Sequence, residues 1–101
     1  MQPLVYSSNG RDVTTSLKVA EVFGKEHKRV LQDLRELSCS EEFRVHNFVH
    51  THYIHPQNNQ KYDMFEITRD GFSFLAMGYT GAKAAKFKED FIRYFNDSIK
   101  L

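Results

Sequence analysis

A single cysteine, Cys39, excludes an intramolecular disulfide and with it a disulfide-stapled secreted scaffold. Such usage fits a reducing compartment. No apolar run approaches the roughly 18 residues that a membrane span needs, and the N-terminus has no signal-peptide core, so the expected location is the cytoplasm. Tryptophan is absent, and linkers, internal repeats and low-complexity segments are lacking. A strong charge of either sign is missing too: 14 Lys and Arg stand against 13 Asp and Glu, a formal net charge of +1. A chain so near neutrality is no general polyanion binder, and any nucleic-acid contact has to come from a local concentration of cations.

What the chain does have is bulky core material, nine Phe and five Tyr in 101 residues. That length suffices for one domain with one core and is too short for two, so residues 1–101 are read as a single unit. Leu4-Val5-Tyr6 and Asp12-Val13-Thr14 flank Asn9-Gly10, a strong hairpin signal because a tight hairpin turn needs positive φ at its centre. Thr15 or Ser16 caps a first helix that carries Leu17, Val19, Ala20 and Phe23 and stops at Gly24. A second helix is predicted from about 26 to 37, with Val30, Leu31, Leu34 and Leu37 as its stripe and His27 at the stripe's edge. Ser38-Cys39-Ser40 ends it, and Glu41 to Arg44 add one turn.

A second hairpin follows, from Asn47 to Ile54 and from Lys61 to Ile67, with an amide-rich tip at 55–60. Thr68 caps a helix that runs to Gly78, and Thr80 or Gly81 starts a last helix with Ala84, Phe87, Phe91, Ile92, Phe95 and Ile99 as its apolar stripe. Lys83, Lys86, Asp90, Arg93 and Asp97 lie across from it. The fold class is therefore α+β. The expected arrangement is a winged-helix-like single domain with an N-terminal hairpin, a helix-turn-helix, a second hairpin as wing and two C-terminal helices.

Residues 25–35 carry four Lys or Arg and one His against two acids. A basic helix behind a shorter one can enter a nucleic-acid groove, with its N-terminal end aimed at phosphates and bases. Lys25, Lys28, Arg29, Gln32 and Arg35 are the expected contacts. Arg suits guanine edges and Gln suits adenine. Lys61 and the hairpin tip would add backbone contacts. Leu17, Ala20, Val30, Leu31 and Leu34 are expected to lock the helix pair.

His46, His50, His52 and His55 invite a metal reading, since His50 and His52 share a strand face. Structural zinc sites favour four ligands, often several thiolates, and Cys39 lies outside the cluster, so no metal is expected. A hairpin-plus-helix metal nuclease would need His or Asn after the hairpin, and residues 69–78 contain neither. Gly78 to Lys83 lacks phosphate-loop spacing and reads as a helix–helix turn. Lys88 falls inside the apolar stripe of the last helix, where it snorkels or meets a phosphate. No nucleophile elbow or paired acid–base set is present, so no enzyme activity and no cofactor are expected.

Several blocks also match a known pattern in order. They are Val13-Thr14-Thr15-Ser16, Val22-Phe23-Gly24-Lys25-Glu26-His27-Lys28, Leu34-Arg35-Glu36-Leu37 and Glu42-Phe43, then Tyr62-x-Met64, Thr68-Arg69-Asp70-Gly71-Phe72, Leu75, Met77-Gly78-x-Thr80-Gly81 and Ala84-Ala85-x-Phe87-Lys88. From about Val13 to Asn96 the chain resembles the phage regulatory protein Rha family. The resemblance implies a phage- or prophage-encoded regulator acting in a bacterial host cell and generally taken to bind double-stranded DNA. It also implies kinship with the N-terminal domains of phage antirepressors, and it supplies no set of DNA-contacting residues. The alternative is an antirepressor or adaptor that binds another protein, such as a repressor, and never touches DNA. Such proteins often carry a further C-terminal region. This chain stops at Leu101 inside a helix without a capping glycine, so an oligomerisation or effector segment beyond it, and a homodimer, are expectations of the same resemblance.

Overall fold

Asn9 and Gly10 both take positive φ, 52° and 80°. They join strands β1 (Tyr6–Ser8) and β2 (Arg11–Thr15) in the tight turn that their sequence demands. The structure, a computed structural model, describes residues 5–100, and the side chains of all of these except 82, 83 and 97–100. Leu4 of the expected first strand, and the side chains of Lys83, Asp97 and Ile99, lie outside the described residues.

Thr15 caps helix α1 (Ser16–Phe23): its hydroxyl accepts the Lys18 N–H at 3.0 Å. Gly24 closes α1 in the left-handed region at φ 69°, where a Cβ-bearing residue would be strained. Helix α2 (His27–Arg35) follows, shorter at both ends than the sequence predicts. Its early end has a cause. The guanidinium of Arg44 donates to the carbonyls of Leu34 and Leu37, taking the acceptors that a further turn would have used.

Arg44 belongs to helix α3 (Glu41–Asn47), longer than the single turn expected there. The Ser40 hydroxyl accepts the Phe43 N–H, and Glu41 and Glu42 occupy the first turn, where negative charge is favoured. Strands β3 (Phe48–Ile54) and β4 (Lys61–Thr68) form the second hairpin, its tip turned by Asn59 at φ 57°.

Thr68 caps helix α4 (Arg69–Ala76) by accepting the Gly71 N–H, and donates its own hydroxyl to Asn47 Oδ1 at 2.6 Å. A Cβ on Gly71 would lie 2.8 Å from the Asn47 carbonyl oxygen, so only glycine permits this approach. Helix α5 (Ala82–Lys100) ends the described chain. The left-handed turn before it belongs to Gly81, at φ 101°, and not to Gly78.

The two hairpins do not stay separate. Strand β2 pairs antiparallel with β4, matching Val13 to Thr68 and Thr14 to Ile67, and the sheet order is β1-β2-β4-β3. Among the described residues, five helices thus join one four-stranded antiparallel sheet around a single core. Phe72, Phe91 and Phe95 fill that core, and Phe23 reaches it from α1, stacking on Phe91 with ring centroids 5.8 Å apart. On α1 the buried residues are Ser16, Val19 and Ala20. Leu17, expected to help lock the helix pair, stands instead beside Tyr6 and Met64, because the face of α1 that meets the core is the one bearing Ser16, Val19, Ala20 and Phe23.

Candidate functional site

Gly24, Lys25, Glu26, Lys28, Arg29, Gln32 and Arg35 line one open groove of about 700 Å³ along α2. Five of the six residues expected to contact a duplex therefore share one surface. The stripe of Val30 and Leu34 is buried beneath it, which turns Lys28, Arg29, Gln32 and Arg35 outward.

That surface is not a bare stripe of cations. Lys28 Nζ stands 3.7 Å from Glu26 and is almost fully exposed. Arg29 Nε lies 3.6 Å from Asp33 Oδ1 one turn on. The Gln32 amide donates to Glu36 at 3.2 Å. Arg35 Nη2 approaches Asp63 Oδ2 of β4 at 3.8 Å and so ties the end of α2 to the hairpin. The ion pairs are long, 3.6 to 3.8 Å, and their cations are exposed, which makes each worth about 0–1 kcal/mol.

Lys25 differs from the others. Its ammonium is 3.0 Å from Asp33 Oδ2 and 3.8 Å above the centre of the Tyr79 ring, and the side chain is largely covered. Tyr79 donates its hydroxyl to the same carboxylate oxygen at 3.1 Å. Burial first, then the Asp33 charge, holds the Tyr79 phenol well above its ordinary range. Lys25 therefore braces α2 against the α4–α5 turn, with 30% of its side chain still exposed at the groove.

Lys61 opens β4 at the far end of the hairpin, across from Ile54, exposed and without an ion-pair partner among the described residues. Of the four histidines near the hairpin, the fold unites His50 and His52 with Asp63. His50 Nε2 is 3.0 Å and His52 Nε2 3.7 Å from Asp63 Oδ1. His46 lies on α3, where its carbonyl accepts from Arg11, and His55 Nδ1 accepts the Gln57 N–H in the tip. Hydrogen bonding from His50 leads the effects that lower the Asp63 pKa, and the charges of His50, His52 and Arg35 add to it. Asp63 did not stand out in the sequence. Counting the hairpin register back from the 55–60 tip, which sets Asp63 opposite His52, would have found it.

Lys88 lines a shallow cleft between α4 and α5 with Met77 and Ile92. Ile92, expected in the buried stripe of α5, is half exposed because Phe91 takes the inward position.

Comparison with known proteins decides the family. The model described as phage regulatory protein Rha matches residues 14–98. The chain belongs to the Rha family. A protein of Salmonella phage P22, described as an uncharacterized 22.8 kDa protein in the gp15-gp3 intergenic region, is 37% identical over 95 residues, covering 92% of this chain and 47% of its own. An uncharacterized protein of Haemophilus influenzae is 38% identical over 98 residues, covering 94% of this chain and 56% of its own. This Rha-family chain thus spans about half the length of the curated relatives it matches. No solved structure matches it. No helix among the described residues is long and apolar enough to cross a membrane.

Proposed function

We propose that this Rha-family chain is a winged-helix-like DNA-binding module of a phage regulator, with α2 in the major groove and the β3–β4 hairpin as wing. One observation carries the reading: α1 packs on β4 of the hairpin, which brings the α1–α2 pair beside it, and Arg35–Asp63 joins α2 to the hairpin, an arrangement that suits a winged helix. Lys28, Arg29, Gln32 and Arg35 then meet the duplex, and Lys61 adds a backbone contact at the wing. Lys25 serves as a brace and is not among the contacts. On approach, phosphates replace Glu26 and Asp33 as partners of Lys28 and Arg29. The loose geometry of those pairs keeps that exchange inexpensive.

The salt dependence of binding to duplex DNA tests this. In the Lys28→Ala/Arg29→Ala variant, affinity should fall across all sequences, and the log–log salt slope should shrink by about 0.9 for each phosphate contact removed. An unchanged slope moves the interface off α2.

A second reading is an adaptor that binds a protein such as a repressor. It is favoured by the carboxylate within 4 Å of each cation on this face, and by the exposed Val49 and Ile54 on edge strand β3. A chain of this second kind would show no salt-dependent retention on random duplex DNA.

A further inference from the structure

We propose that His50, His52 and Asp63 form a binding site for a single divalent transition-metal ion, Zn²⁺ foremost, on the solvent face of the hairpin. The backbone sets the site up. His50 and His52 are two positions apart on β3 and so project from the same face. Asp63 lies directly opposite His52 and diagonally across from His50. The ligand atoms, Nε2 of each imidazole and a carboxylate oxygen, all lie within 4.8 Å of one another.

The spacing suits coordination. Ligands held at about 2.0–2.1 Å around a tetrahedral ion lie about 3.4 Å from one another. The two nitrogens are already 3.0 and 3.7 Å from Asp63 Oδ1, so small side-chain rotations complete the geometry once each ring carries its proton on Nδ1 and leaves the Nε2 lone pair to the ion. Packing limits the rotation of one ligand, since the His50 ring rests edge-on against Phe65 with centroids 5.3 Å apart. Two neutral imidazoles and one carboxylate select a borderline ion over Mg²⁺ or Ca²⁺, which prefer all-oxygen sites. All three residues are exposed, which gives an ion direct entry from solvent and leaves its remaining positions to water.

Binding has a consequence for α2, and this consequence alone rests on the DNA-binding reading. An ion on Asp63 takes the carboxylate that Arg35 now faces and adds two positive charges beside it, freeing Arg35 for a phosphate.

Titration of the intact chain with zinc chloride, in competition with a chromophoric chelator and without DNA, tests the site apart from any role in DNA binding. One equivalent should bind. His50→Ala, His52→Ala and Asp63→Asn should each weaken binding by at least about tenfold. His46→Ala/His55→Ala should leave it unchanged. Circular dichroism verifies that each variant is folded. In the unsubstituted chain, zinc should shift the imidazole proton resonances of His50 and His52 and leave those of His27 in place. Absence of saturable binding, binding retained in His50→Ala/His52→Ala, or binding lost in His46→Ala/His55→Ala overturns the proposal.

Discussion

Ser16 Oγ lies 2.9 Å from His27 Nε2, and the same oxygen accepts the Phe65 N–H at 3.0 Å. One buried hydroxyl at the start of α1 thus links that helix to α2 and to β4. With its oxygen accepting from Phe65, the hydroxyl proton is available to a neutral His27, whose Nδ1 then carries the ring proton. Ser16→Ala would leave both neighbours without this partner and should cost about 1–3 kcal/mol, read as a drop in Tm.

The same relationship sets a pH dependence. Burial lowers the His27 pKa below its ordinary 6.5, so the unfolded chain takes up a proton before the folded one does. The contribution of His27 to stability is full above pH 6.5. It is lost progressively as pH falls towards the lowered folded value. A His27→Gln variant should show a flatter Tm profile over that window than the parent chain.

Lys25 and the outward cations of α2 should separate cleanly in mutagenesis. Lys25→Ala removes an ion pair with Asp33 and a cation over the Tyr79 ring, and should cost about 1–2 kcal/mol of stability. For a domain of this size, that shift is about 4–8 °C in Tm per kcal/mol. Its effect on the DNA salt slope should be smaller than that of Lys28→Ala/Arg29→Ala. Equal slopes for the two variants would mean that Lys25 reaches the polyanion after all.

Thr14 is fully buried on β2, and its hydroxyl has no hydrogen-bond partner among the described residues. A buried hydroxyl without a partner is a cost to the fold, and valine has nearly its shape. Thr14→Val should raise Tm, by about 1 kcal/mol of stability. A lowered Tm would reveal a water or other partner at that hydroxyl.

Much of the local structure was legible because its causes are local. Asn9-Gly10 prescribes its turn, Thr15 and Thr68 cap the helices they precede, and Gly24 stops α1. The limits of the second hairpin fall within one residue of the sequence reading. Features that depend on residues far apart in sequence were not legible. The pairing of β2 with β4 leaves no mark on either strand alone, since each reads as half of a hairpin. Arg44 shortens α2 from ten residues away, and nothing within α2 announces it. The same holds for the site. Helical periodicity found the exposed face of α2, yet Lys25 also fits that periodicity and is drawn inward by Tyr79, a residue distant in sequence. Asp63 joins His50 and His52 through strand register, a property of the hairpin as a whole.

The seam between β2 and β4 also bears on the order in which the protein is made. On the ribosome, the first hairpin and the α1–α2 pair emerge early, but the second edge of β2, already paired with β1 on its first, stays open until Thr68 has left the exit tunnel. Until then the helix bearing the cations lacks the platform that orients it. A translation product cut short at the hairpin tip would carry nearly all of the basic face but lack β4, α4 and α5 beneath the helix pair, exposing Val13 and Val19 to chaperones and proteases.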